Sequence, residues 1–314
     1  MLDVTIKSFS YSKKDVLKDI VFKLKKGKHL AILGESGCGK STLLHLIYGL
    51  LNLDRGDIFW SNKRLLGPKA NLVPGESFIK LVSQEFDLMP FISVSENIAS
   101  HLPRTDAKLD DARVDELLIV VGLKPFKNTL VKNLSGGQKQ RVALAKALAK
   151  KPELILLDEP FSNIDVKRKN ILRRALYSYL KLNSISCITA THDSEEALGF
   201  SDEILILQNG TTLAQGTPQT VFQNITSAYH AGIFGDVSIL PSHLFDTGAT
   251  TEPKVLLPHE LCITQKESKL RVRVTASYFR GKDYLIQSSW DGEDVFFENP
   301  EKLNSGALVH LKRR

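Results

Sequence analysis

Gly34-Glu35-Ser36-Gly37-Cys38-Gly39-Lys40-Ser41-Thr42 is the stretch on which the reading of this chain turns. Its glycines, spaced ahead of a terminal Lys-Ser, fit the phosphate-cradling P-loop. The apolar run Lys28–Leu33 before it predicts a strand, and Ser41–Leu51 after it predicts a helix, so the loop sits at a strand-to-helix junction. There the glycines let the backbone fold until its N–H groups converge on an anion at the positive end of a helix. Lys40 offers a point charge to the β- and γ-phosphates of a nucleotide, and Ser41 a hydroxyl to Mg²⁺. Cys38 fills a position that needs a small residue. A bland glycine turn has no use for Lys-Ser at this offset.

Working outward, short apolar or β-branched runs alternate with helical patterns. Leu2–Phe9, Leu154–Leu157, Ile185–Ala190 and Ile204–Leu207 read as strands, together suggesting a parallel sheet buried on both faces. Val114, Leu117, Leu118 and Val121 recur at helical spacing before Gly122, and Leu172, Ala175, Leu176 and Tyr179 repeat the stripe. Ser93 and Glu96 have capping-box spacing. From residue 86 to about 145 helices occur without convincing strands, which predicts a helical insert into an α/β domain spanning 1–235. Residues 236–253, with Pro241, Gly248 and Pro253, read as a linker. Beyond it Lys254–Ile263, Lys269–Tyr278, Tyr284–Ser288 and Asp294–Phe297 are β-rich, with turns at Gly281, Asp291-Gly292 and Asn299-Pro300. Residues 254–314 are therefore expected to form a small, barrel-like all-β domain.

Bulk properties bound the function. The 314 residues are 42% hydrophobic and 25% charged, an ordinary globular balance. The longest apolar run, Leu43–Leu53, contains His45 and falls short of the roughly 18 residues a membrane span needs. No charged-then-apolar leader opens the chain, so any membrane role is expected to be peripheral. Cys38, Cys187 and Cys262 are too scattered for a disulfide framework or a metal cluster, which suits a reducing compartment. The net charge of +7 is spread over clusters such as Lys23–Lys28 and Lys312–Arg314, read as solvated surface; no nucleic-acid partner is expected.

A second motif narrows the class. In Leu134-Ser135-Gly136-Gly137-Gln138, followed by Lys139-Gln140-Arg141, Ser135 and the paired glycines precede the stripe Val142, Ala145, Leu148. That makes another helix N-terminus suited to an anion. The motif resembles the signature of the ABC ATPase family, a P-loop NTPase fold with a helical insert. Leu154-Ile155-Leu156-Leu157-Asp158-Glu159-Pro160 matches its Walker B strand. Asp158 there is expected to hold Mg²⁺, and Glu159 to accept a proton from the attacking water.

The resemblance implies further roles, residue by residue. Gln84 matches the Q-loop glutamine near the metal and water, Asp165 in Ser162-Asn163-Ile164-Asp165 matches the D-loop, and His192 matches the switch histidine that contacts the γ-phosphate. Asn163 departs from the usual D-loop alanine and carries no assigned role. Tyr11 stands where the family places an aromatic ring on adenine, with Phe9 beside it as the alternative core residue. Together with Gly34–Thr42, the signature residues Ser135, Gly136, Gly137 and Gln138 would complete one ATP site only when two subunits pair head to tail.

The later sequence resembles the ATPases of bacterial importers. Thr191–Ala197 and Gly210–Pro218 share their pattern, and the C-terminal β-domain is similar to the TOBE (OB-like) domain of that group, particularly of polyamine and ferric-iron importers. Leu256-Leu257-Pro258-His259-Glu260 resembles an early TOBE segment without its usual arginine, and Tyr278-Phe279-Arg280-Gly281 a later one. The resemblance thus implies an ATP- and Mg²⁺-dependent subunit, working as a homodimer, on the cytoplasmic face of the inner membrane. Its partners would be permease subunits and an extracytoplasmic solute-binding protein. An exporter ATPase and a soluble non-transport ABC ATPase are the alternatives; the first would lack the TOBE-like tail, and the second usually carries two ATPase modules.

Overall fold

The computed structural model describes residues 1–12, 14–245 and 252–314. Two units divide the chain, Met1–Val221 and Phe222–Arg314. The first opens with β1 (Leu2–Tyr11), β2 (Lys14–Leu24), β3 (His29–Leu33) and α1 (Lys40–Tyr48). Then come β4 (Arg55–Trp60), β5 (Lys63–Arg64) and β6 (Ile79–Val82). Three helices follow, α2 (Val94–Ala99), α3 (Ala107–Val120) and α4 (Gly136–Leu148). Strands and helices alternate thereafter as β7 (Leu154–Asp158), α5 (Val166–Leu182), β8 (Ser186–Thr191), α6 (Ser194–Phe200), β9 (Glu203–Gln208) and β10 (Thr211–Gly216).

Apart from Leu2–Phe9, which lies in a separate antiparallel sheet rather than the expected parallel one, the short apolar runs join a six-stranded sheet in the order β10-β9-β3-β8-β7-β6, parallel except for the edge hairpin β9–β10. Strands β3, β7 and β8 are buried along their whole length, because both faces are covered. Alternation sorts their side chains. Ile155, Leu157 and Cys187 join the core under α3, α4 and α5, while Leu154, Leu156, Ile188 and Ala190 join Leu43, Leu44 and Ile47 of α1. The second face is also closed by a four-stranded antiparallel sheet, β2-β1-β4-β5, which the sequence pattern showed only at its first strand. Its apolar side chains, Leu2, Val4, Ile6, Leu17, Ile20 and Ile58, alternate into the same core.

Helix α1 stops short of the expected Leu51, where the N–H of Gly49 turns back onto the carbonyls of His45 and Leu46. Between residues 86 and 145 the described backbone holds helices and a single bridge, Ser93 to Leu130.

The second unit begins earlier than the boundary expected after Gly235, because Phe222 packs on Phe234 and stacks on His259 at 5.7 Å. Within the expected linker 236–253, Ser238–Leu240 is a strand, β11, paired antiparallel with β12 (Lys254–Leu256). Gly248 lies outside the described residues. The expected strand Lys254–Ile263 is broken at Pro258, which has no N–H to give a ladder, so a 3₁₀ turn separates β12 from β13 (Leu261–Thr264). Then come β14 (Leu270–Phe279), β15 (Tyr284–Trp290), β16 (Glu293–Asn299) and β17 (Leu308–Arg313). They pair antiparallel in the order β13-β17-β14-β15-β16, and the two outer strands lie against each other, so the sheet is rolled around Leu270, Val272, Ile286 and Phe297. Strand β17, unread in the sequence, is the one that joins β13 to β14.

Candidate active site

The C-terminal ends of four parallel strands deliver the chemistry. β3 leads into residues 34–39, β6 into Gln84, β7 into Asp158 and Glu159, and β8 into His192. They meet at a cavity of about 780 Å³. Tyr11, Ser36, Gly37, Gly39, Lys40, Ser41, Thr42, Gln84, Asp158 and Glu159, all singled out by sequence, line it. His192 stands beside it, with Nδ1 2.9 Å from Glu159 Oε1.

Lys40 is buried, and its Nζ donates to the carbonyls of Gly34 at 2.6 Å and Glu35 at 3.0 Å, arching the loop over the start of α1. Asp158 is 4% exposed, and its Oδ1 is buried without a hydrogen-bond partner. An orphaned carboxylate oxygen facing Ser41 and Gln84 across one cavity is the donor set of a hard cation, so these residues fit Mg²⁺. Glu159 adopts φ +49, a conformation uncommon outside glycine, while its side chain is 12% exposed.

Beneath His192 lies a charged network. Arg173 of α5, buried, donates to Asp193 Oδ2 at 2.6 Å and Glu196 Oε2 at 3.2 Å, and its guanidinium lies over Phe161. Glu196 also accepts from Tyr177 and Thr191. Burial raises the Glu196 carboxyl, these donors notwithstanding; at Asp193 burial acts the same way, but Arg173 and Lys169 prevail and hold it below its ordinary value.

Other expected residues stand apart. Gly34, Glu35 and Cys38 do not line the cavity. Cys38 instead turns its thiol into the core against Gly34, where burial pushes its pKa up. Ser135 caps α4 through a reciprocal box with Gln138, and none of Ser135, Gly136, Gly137 or Gln138 lines the cavity. Asp165 caps α5 by accepting from Arg168 N–H. Tyr11 sits edge-on to Phe9 at 5.0 Å, Phe9 being the buried member of the pair.

Five lining residues escaped the sequence reading: Lys14, Asp15, Val16, Asn209 and Gly210. The last two form the β9–β10 turn, with φ +49 and +79, the two-residue geometry that Asn-Gly favours. A Cβ at Gly210 would meet Val16 O at 2.1 Å, and Gly210 also bonds Lys18 N–H and Cys38 O. The Asn-Gly pair was a readable hairpin signal; that the hairpin tip braces the phosphate loop was not.

Comparison with known proteins agrees with this geometry. Residues 17–162, from β2 past the Asp158-Glu159 pair, match the family model described as ABC transporter. Those residues carry an ABC transporter ATPase domain. The chain binds nucleotide and hydrolyses ATP. It is similar to CbiO1 from Clostridium perfringens, part of the ABC transporter complex CbiONQ, at 29% identity and TM-score 0.62 over 71% of this chain and 90% of that one. It is also similar to the ATP-binding cassette MJ0796, solved as a dimer in a post-hydrolysis state with ADP and Pi, at 26% identity and TM-score 0.61. That match covers 69% of this chain and 99% of the other. ATPase subunits of ABC transporters are thus its structural neighbours, and among the described residues no helix is long and apolar enough to cross a membrane.

Proposed function

We propose that this ATPase drives solute import: a peripheral subunit on the cytoplasmic face of the inner membrane, acting as a homodimer beneath membrane permease subunits and supplied by a solute-binding protein. The observation that carries the catalytic part is the convergence of Lys40, Asp158 and Glu159 on one cavity, with His192 on the Glu159 carboxylate. In this reading Lys40 and the 34–42 backbone bind the phosphates, Tyr11 stacks on the base, and Ser41, Gln84 and Asp158 hold Mg²⁺. The metal supplies charge neutralisation at the phosphates when bound. Glu159 takes the proton of the attacking water, and His192 orients that carboxylate. Gln84 reports the state of the site to the helical insert.

The dimer is supported by what the cavity lacks. Ser135–Gln138 form the N-terminal turn of α4 and do not line this cavity, so in this reading a second copy brings their N–H groups to the phosphates. Asp165, on the exposed start of α5, would stand at that junction. Such a pairing has a counterpart in the dimeric structure of MJ0796, and permease partners in the complex to which CbiO1 belongs. Import is favoured by the rolled β-sheet of the second unit, TOBE-like in sequence.

The test is reconstitution with the cognate permease in vesicles. Uptake into right-side-out vesicles should require ATP on the face carrying this subunit, and Lys40→Ala should abolish both nucleotide binding and uptake. Solute extrusion instead would establish the exporter reading; ATP turnover that no permease stimulates would favour a non-transport role. Mixed dimers test the composite site: Lys40→Ala with Ser135→Arg in one subunit should silence both sites, whereas half the normal rate would contradict head-to-tail pairing.

A further inference from the structure

We infer that Gln140 is a positioning residue that fastens Glu159 to helix α4, so that the carboxylate is aimed by the same helix that begins at Ser135. The inference rests on the reading of Glu159 as the general base.

Gln140 is 2% exposed, a buried amide one turn into α4, and it does not line the cavity. Its Nε2 donates to the backbone carbonyl of Glu159 at 2.9 Å, and its Oε1 accepts from Asn163 N–H at 3.3 Å. One side chain therefore grips the loop between β7 and α5 at two points. Close by, α4 sits directly on that loop: a Cβ on Gly137 would lie 2.6 Å from Asn163 O, so a larger residue has no room there.

The grip matters because of the Glu159 backbone. At φ +49 a glutamate is held in a left-handed conformation that crowds its Cβ against the backbone and is disfavoured against its ordinary one. Such a conformation persists where its surroundings over-determine it. Here the Glu159 N–H is fixed on Ala190 O at 2.9 Å, and the carbonyl is fixed by Gln140 together with Ser162 Oγ at 3.1 Å. Ser162 belongs to the same loop and moves with it, whereas Gln140 ties the loop to a separate element. Without the amide, the Glu159 carbonyl keeps only Ser162 of its own loop, so the residue can turn about its N–H bond to Ala190 and swing its carboxylate away from His192 Nδ1. Phosphate contacts by Lys40 and Ser41, on another element, are left as they were.

The experiment compares Gln140→Met, close in length but without the amide, with Gln140→Glu, which keeps an acceptor for Asn163 N–H but turns a carboxylate toward the Glu159 carbonyl. In the full chain both should lower kcat about 10- to 100-fold, the size of effect a displaced catalytic group produces. The KM for ATP should stay within about twofold, because ground-state binding is untouched. In a Glu159→Gln background, single-turnover rates should change by less than about twofold on adding Gln140→Met, since the group being positioned has lost its function. Normal kcat in Gln140→Glu, or a KM change without a kcat change, would overturn the inference. So would an undiminished penalty in the Glu159→Gln background. Should Gln140→Met fold poorly, Gln140→Glu decides alone. Rapid turnover by Glu159→Gln itself would instead overturn the general-base reading, whatever Gln140 does.

Discussion

At the scale of single residues, burial rather than sequence position sets reactivity. Cys38 lies inside the phosphate loop by sequence, yet its thiol is buried in the core and burial raises its pKa. Cys187 is buried more deeply and is pushed up to about 12. Cys262 is partly exposed. Iodoacetamide labelling followed by mass spectrometry should therefore mark Cys262 first, with Cys38 and Cys187 slow even without nucleotide; rapid labelling of Cys38 would contradict its placement. His29 makes a second case. Its Nδ1 donates to Phe200 O at 2.6 Å, its Nε2 accepts from Thr189, and it stacks on Tyr177. Burial, partly opposed by the Phe200 carbonyl and Asp202, lowers its pKa to about 4 from 6.5. The unfolded chain then takes the proton more readily than the folded one, so His29 contributes stability above pH 6.5 that is lost as pH falls from there through 4. Its full loss is about 3 kcal/mol. Denaturant midpoints for His29→Gln should be flatter than wild type across that window; parallel curves would show that His29 is not the group responsible.

At the scale of elements, chemistry with a local signature was legible and chemistry assembled from afar was not. The 34–42 loop, the Asp158-Glu159 strand end and the Ser135 cap could be read because spacing along the chain alone specifies them. Strand β2 escaped because its alternation is regular only over Ile20–Leu24, where it runs into the lysines of Lys23–Lys28, and β4 because its apolar residues, Ile58–Trp60, are consecutive and too few to show a period. Lys14, Asp15 and Asn209 reach the cavity by tertiary juxtaposition, and Gln140 looked like one more polar residue on a helix. Arg173 belongs with them: it looks like one of several basic residues in α5, but it is buried against Asp193 and Glu196. Removing it as Arg173→Met leaves buried Glu196 without its cation and Asp193 with Lys169 alone beneath the His192 loop. Urea unfolding should show a loss of about 3–5 kcal/mol, the cost of breaking a buried pair from one side. A loss below about 1 kcal/mol, the range of surface pairs, would mean the network is solvated.

At the scale of the whole molecule, the chain divides into a nucleotide unit with two cores of its own and a rolled β unit with a third. Every lining residue of the cavity precedes Val221. A chain ending near Phe234 should accordingly remain folded and bind ATP with little change in affinity, as titration calorimetry would report. The central claim is that Glu159, held beside His192 at the mouth of the phosphate loop, is the base for hydrolysis. Its most direct test is Glu159→Gln, with Mg-ATP binding and single-turnover hydrolysis measured on the same sample. The account predicts that ATP affinity is retained while the hydrolysis rate falls about 10²- to 10⁴-fold, because an amide cannot take the proton. Turnover within about tenfold of wild type, with binding intact, would contradict it.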